Sequence, residues 1–293
     1  MVKYALYTGC TIPYRLNAYE ASTRKVMEHL GVELVDLDQV NCCGLYVEPA
    51  NKLAYLALSG RILALAEEQN LDILALCGGC TSALAKANAY LKEHEDERNA
   101  VNEVLADFDM GFEGKIRVVN SVNSFVEDIG LKELKKQITK PFNGLKLAAH
   151  YGCHLLKPSE VLQFEDPEAP KSVDDLCSIT GAMMVDYRDK YDCCGAPVIA
   201  TEQSLAVKII NNKLKNISHA GANAIVTVCP YCELMFDLMQ LEADEVYGNG
   251  KKYGLPAILH TQLLGLSMGM DTEEVGLSLN KVNAEKILEF LSE

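Results

Sequence analysis

At 293 residues and 49% hydrophobic content, the chain is long enough to bury one large core or two ordinary ones, and no apolar run approaches the roughly 18 residues of a membrane span. An excess of acidic side chains, 41 against 27 basic, gives a net charge of −14 and excludes the clustered Lys and Arg that nucleic acid or an anionic membrane would need. The start, MVKYALYTGCT, has neither the long apolar stretch nor the cleavage site of a signal peptide, so a cytoplasmic location is expected; there, 11 cysteines speak for metal or redox chemistry over disulfides.

In chain order, short apolar runs alternate with amphipathic stretches, the pattern of a parallel sheet with crossover helices. KYALYT, VELVDL, DILAL and IRVV are expected strands. NAYEASTRKVMEHLG, NKLAYLALSGRILALAEEQ, TSALAKANAYLKE and SVNSFVEDIG are expected helices. The charged stretch between Lys92 and Gly114 reads as an insertion, and LKKQITKPFNG as a basic, turn-forming linker. Beyond it the strands return as KLAAHY, MMVDY, AIVTV and AILH, and KVNAEKILEFLSE closes the chain as a helix. YGNGKKYG lacks both a preceding strand and the G-x-G-x-x-G spacing of a dinucleotide site, and is expected to be a surface loop.

The chain is therefore a tandem repeat of α/β design, with residues 1–141 as one domain and 142–293 as the second. Cys10, Cys42-Cys43-Gly44 and Cys77-x-x-Cys80 answer to Cys153, Cys193-Cys194-Gly195 and Cys229-x-x-Cys232. From the lone cysteine to the pair there are 31 and then 39 intervening residues, and from the pair to the Cys-x-x-Cys 33 and then 34. The extra length falls in the polar segment around QFEDPEAP. Every cysteine motif follows an expected strand, and parallel strands present their carboxyl ends on one edge, where ligands of α/β sheets bind. The ten thiols are thus expected to converge into two sites, one per half.

Ligand number narrows the chemistry. Zinc takes four ligands, as does an ordinary cubane cluster, whereas each half offers five thiols. Five favour an atypical iron–sulfur cluster, with Gly44 and Gly195 freeing the backbone to turn sharply and pass close to a bulky cofactor. Each Cys-x-x-Cys opens a helix, whose free N–H groups and dipole favour thiolates. A thioredoxin-type dithiol explains only two of the five, and a noncatalytic zinc scaffold leaves one thiol spare. Cys177 belongs to neither pattern and is expected to be a buried structural thiol.

The doubled arrangement of Cys, Cys-Cys-Gly and Cys-x-x-Cys resembles the twin CCG-motif (cysteine-rich domain) family, over almost the whole chain. The family includes the B subunits of heterodisulfide reductase from methanogenic archaea. The resemblance implies a noncubane [4Fe–4S] cluster in each half, the first on Cys10, Cys42, Cys43, Cys77 and Cys80, the second on Cys153, Cys193, Cys194, Cys229 and Cys232. It implies reduction of the coenzyme M–coenzyme B disulfide to two thiols between facing clusters, each transferring one electron. It also implies partners: a ferredoxin-like C subunit and a flavin-bearing A subunit, within a hydrogenase- or formate dehydrogenase-linked complex. Fused relatives carry a ferredoxin-like run of cysteines that is missing here, which fits a stand-alone subunit. The rival within the family is an electron-transfer subunit for fumarate, succinate, glycolate or lactate chemistry.

Beyond the cysteines, His154 is the expected proton or hydrogen-bond donor at the cluster edge. His260 and its first-half counterpart Asn120 are expected to be structural. Arg15, Lys157, Arg188 and Lys208 are candidates for binding the anionic groups of the substrate.

Overall fold

The computed structural model describes residues 2–292. In the first half β1 (Lys3–Tyr7), β2 (Glu33–Asp36), β3 (Asp72–Ala75) and β4 (Val118–Val119) form a parallel sheet of order β2-β1-β3-β4. In the second half β5 (Lys146–His150), β6 (Met183–Val185), β7 (Ala224–Thr227) and β8 (Ala257–Leu259) repeat it as β6-β5-β7-β8, again parallel. The registers correspond: Tyr4 lies opposite Leu34 and Asp72, as Leu147 lies opposite Met184 and Ala224.

Alternation along the strands sends side chains to two different cores. Tyr4 and Leu6 of β1, with Leu147 and Ala149 of β5, enter one core that contains residues of both halves. Ala5 and Tyr7 point instead to a core made by the Lys52–Glu68, Gly78–Glu93 and Glu95–Ala106 helices. Ala148, Ile225 and Ala257 point to a third, under the Gln203–His219 and Pro230–Asp237 helices. The result is five layers, with the two sheets sandwiching a shared inner layer of helices. That layer includes Asn17–His29, whose buried positions Tyr19, Ser22, Thr23, Val26 and Met27 follow helical spacing. It also includes Ser172–Ser178, which buries Cys177, and His260–Ser267, buried along its whole length.

Three expectations change in detail. The stretch after Lys92 contains a helix, Glu95–Ala106, which packs on Lys52–Glu68 through Val101 and Leu105. The second half has a shorter helix, Met239–Tyr247, packed in the same way on Gln203–His219, so the insertion lengthens an element both halves share. The tail is a 3₁₀-helix, Ala284–Phe290, and not an α-helix. Its buried residues Ala284 and Ile287 recur every three positions, and its end is held by the linker, with Asn143 N donating to Phe290 O and Ser292 N to Pro141 O. SVNSFVEDIG opens as one α-turn, Ser121–Asn123, and continues as a π-helix, Ser124–Gly130. The YGNGKKYG segment is a loop, as expected, from Gly248 onward.

None of the described helices is long and apolar enough to cross a membrane.

Candidate iron–sulfur site

The order β2-β1-β3-β4 reverses winding direction at β1 and β3, and the carboxyl ends of those two strands flank the natural ligand crevice of such a sheet. Cys10 follows β1 and Cys77 follows β3; Cys153 and Cys229 follow β5 and β7. All ten motif cysteines line one cleft of about 730 Å³, partly open to solvent. The expected two sites therefore adjoin: Cys77 and Cys229, one from each half, line the same cleft and interact electrostatically. Burial follows the repeat except at Cys77, buried, and Cys229, half-buried. Cys10 and Cys153 are exposed, as are Cys42 and Cys193, while Cys43, Cys194, Cys80 and Cys232 are buried. All remain free thiols, even where Cys232 Sγ lies 3.5 Å from Cys194 Sγ.

Local sequence explains each placement. Cys77 and Cys229 have extended backbone and cap the Gly78–Glu93 and Pro230–Asp237 helices, accepting the first helical bonds from Thr81 N and Glu233 N at 2.9 Å. Pro230 at the first helical position has the φ a helix start requires. The Cys-Cys-Gly turns depend on positive φ, +81° at Gly44 and +91° at Gly195. The close neighbour of each glycine is the next helix and not the cofactor side: a Cβ on Gly44 would meet Tyr55 Cα at 3.3 Å, and on Gly195 Ile209 Cγ2 at 3.2 Å. Ser59 and Asn41 fix the first turn, donating to Cys43 O at 2.7 Å and Cys42 O at 2.8 Å. Gly9 and Gly152, which precede the lone cysteines, do face the cleft. Their φ values are +72° and +73°, and added Cβ atoms would stand 3.0 Å from Cys80 Sγ and 3.2 Å from Cys229 Cβ. The repeated Gly-Cys dipeptide was the signal for them.

The thiols divide protons among themselves. Interaction with the Cys80 thiol holds Cys43 below the ordinary thiol range, at about 7. Interaction with the Cys153 and Cys194 thiols, joined by a hydrogen bond from Gly195 N–H, holds Cys193 far below it. Donors such as Cys80 and Cys232 are driven well above. Such a set cannot ionise fully without a countercharge, and no Lys or Arg lines the cleft. Ferric and ferrous iron would supply that charge, so number, clustering and burial of the sulfurs fit an iron–sulfur group.

Around the sulfurs, Tyr231 of the second Cys-x-x-Cys accepts a 3.2 Å hydrogen bond from Thr11 Oγ1 of the first half. His154 lines the cleft with Nδ1 buried and unpartnered, and packs over Gly78 at the start of the opposite half's helix. Lys157 lies in a groove that shares Leu45, Cys153 and His154 with the cleft and also contains Lys86. Arg15, Arg188 and Lys208 are exposed and do not line the cleft. His260 is fully buried, its Nε2 2.7 Å from Ser121 Oγ, and Asn120 caps its own helix through Val122 N and Asn123 N, so both are structural. His150, buried beside Cys194 and Cys232, has no signal in the sequence, because a histidine inside an apolar strand carries no motif.

Similarity to known proteins covers the same two halves. The CCG cysteine-rich domain profile matches twice, over residues 4–85 and 147–237. The B subunit of the ferredoxin/F(420)H(2)-dependent CoB-CoM heterodisulfide reductase of Methanosarcina acetivorans is 36% identical over all of this chain and 97% of its own length. The "8-methylmenaquinol:fumarate reductase membrane anchor subunit" of Wolinella succinogenes is 29% identical over 97% of this chain and 99% of its own. Among solved structures, a hypothetical protein from Helicobacter pylori shares the fold with a TM-score of 0.78 at 16% identity, covering 96% of this chain and 52% of that one.

Proposed function

The chain belongs to the CCG cysteine-rich domain family, of which it carries two copies, and from that premise we propose that it is the iron–sulfur subunit of a reductase that cleaves the coenzyme M–coenzyme B disulfide. The observation that carries the reading is the single cleft lined by both sets of five thiols. Full-length similarity to the B subunit of a heterodisulfide reductase supplies the substrate class.

Each set of five would hold a noncubane [4Fe–4S] cluster, which supplies one-electron transfer when bound. Disulfide cleavage takes two electrons, so two adjoining one-electron centres match it. The protein's own residues do the rest. The apolar walls, Leu45, Ala196 and Pro197 among them, reduce the water around the sulfurs. His154 offers its unpartnered Nδ1 at the cleft wall as proton donor or acceptor for a leaving sulfur. Lys157, in the adjoining groove, is the anion-binding candidate the geometry favours among the four. Electrons would arrive through a ferredoxin-like C subunit from a flavin-bearing A subunit, in the cytoplasm.

Protein purified without oxygen should contain about eight iron and eight sulfide per chain. Adding the coenzyme disulfide to the oxidised protein should change its paramagnetic spectrum. Iron near zero with stoichiometric zinc would defeat the reading. Normal iron with a spectrum indifferent to the disulfide would favour the second reading, which the similarity to a fumarate reductase subunit supports: an electron relay between a quinol and a flavoprotein.

A further inference from the structure

The two cysteine sets correspond in order and, at four of five positions, in burial, but the residues behind them differ. Three positions before Cys153 stands His150; three before Cys10 stands Tyr7. Each is 1% exposed. The Tyr7 hydroxyl donates to Asn41 O at 2.8 Å, which leaves it no hydrogen for the first-half thiols. His150 sits edge-on to Phe236 at 4.9 Å, with Nδ1 3.4 Å from Tyr187 Oη and Nε2 buried without a partner. One of its ring nitrogens and the Sγ atoms of Cys194 and Cys232 lie within 4.8 Å of one another. Because Nδ1 is turned to Tyr187, Nε2 is the nitrogen left for the sulfurs.

A thiolate only accepts hydrogen bonds, and a neutral imidazole carries one N–H. The tautomer protonated on Nε2 satisfies both ends. It donates to sulfur, and Nδ1 accepts once the Tyr187 hydroxyl turns its single hydrogen from Ala149 O, 3.1 Å away, to the ring nitrogen 3.4 Å away. The other tautomer would aim a lone pair at the thiolates.

A second difference points the same way. Lys213, 1% exposed, occupies the position where the first half has Ile62, each 18 residues past the glycine of its Cys-Cys-Gly. Its ammonium donates to Asp189 O and is in electrostatic reach of Cys194 and Cys232, as well as of Asp189 and the exposed Asp192. The first half offers Arg61 in this region, but its guanidinium is half-buried and tied to Gln39 O at 2.7 Å and Asn41 Oδ1 at 2.9 Å.

We propose that His150 donates a hydrogen bond to the Cys194 and Cys232 thiolates and thereby sets the second-half cluster at a higher reduction potential than the first-half one. The inference rests on the iron–sulfur reading above. Donors and buried positive charge stabilise the more negative, reduced state of a thiolate-bound cluster. One electron from a titrant therefore settles in the second half, and the next in the first.

The test is a redox titration of the full chain, purified anaerobically and with iron and sulfide verified, followed by visible and paramagnetic spectra. Two one-electron waves are expected, and Cys193→Ala should remove the higher one. His150→Phe should lower that wave by about 59 mV, a tenfold fall in its reduction equilibrium. His150→Gln, which keeps an N–H donor, should restore part of the shift and serves if the Phe variant does not fold. Tyr7→Phe should move neither wave. Coincident waves in the unmodified protein, an unmoved higher wave in both His150 variants, or loss of iron from His150→Gln would each overturn the proposal. Absence of iron from the unmodified protein would refute the cluster reading itself.

Discussion

Gly195 illustrates how one residue serves two requirements. Its φ of +91° disfavours any side chain, and an added Cβ would press on Ile209 Cγ2 at 3.2 Å and Ala206 O at 3.4 Å. Gly195→Ala should therefore destabilise the protein by about 1–3 kcal/mol and release iron from the second half. Denaturant unfolding and iron analysis of the same preparation check this. Gly221, at φ +75° with nothing within 4 Å, gives the control: Gly221→Ala carries the backbone strain without the contact and should retain iron. The Gly after each Cys-Cys was readable from sequence as a turn residue; its pressing neighbour was not, because helix-to-turn distance is a tertiary quantity.

At the scale of elements, polar side chains knit the inner helices of the two halves together. Ser22 and Thr261 hydroxyls are 2.7 Å apart, Tyr19 Oη donates to Val228 O at 2.9 Å, and His260 joins Ser121 while its ring meets Tyr19 and Phe125 edge-on. Burial pushes the His260 pKa down to about 4, against about 6.5 in an unfolded chain. The folded pKa is depressed, so the unfolded state binds the proton first as pH falls. The stability this neutral imidazole contributes is whole above pH 6.5 and is lost between about 6.5 and 4, at up to about 1.4 kcal/mol per pH unit. Urea midpoints from pH 7 to 4.5 should fall more steeply for the native protein than for His260→Gln. Equal slopes would show that His260 does not titrate as its burial requires. The polar seam had no periodic signature, since Ser22, Thr23 and His260 sit at positions a hydrophobic pattern scores as gaps.

Over the whole molecule, the shared layer decides how independent the halves are. We propose the boundary at 141/142, in the segment where Phe142 bridges to Leu291. Yet Tyr4, Val26 and Phe125 share one core with Leu147, Val226 and Leu264, and a separated half would expose that surface. Residues 1–141 and 142–293 expressed apart should each lack the cooperative unfolding of the full chain, by circular dichroism, and should regain it when refolded together. A half that unfolds cooperatively alone would refute this.

The short helices between Cys153 and QFEDPEAP act at this scale too. The Cys153–Leu156 and Ser159–Leu162 helices pack on the Gly78–Glu93 helix of the other half and form the groove that holds Lys157.

The repeat, the parallel α/β class, the ten cysteines and the helix starts at each Cys-x-x-Cys were all legible in the order of residues. They depend on spacing along the chain and on local backbone preference, which a linear sequence carries completely. Folding in three dimensions added that the two sulfur sets meet in one cleft, that the inner helices belong to both halves, and that His150 and Lys213 stand behind one set and not the other. Those depend on which faces of two sheets turn toward each other, and a buried polar side chain shows its partner only when the surrounding layers have closed on it.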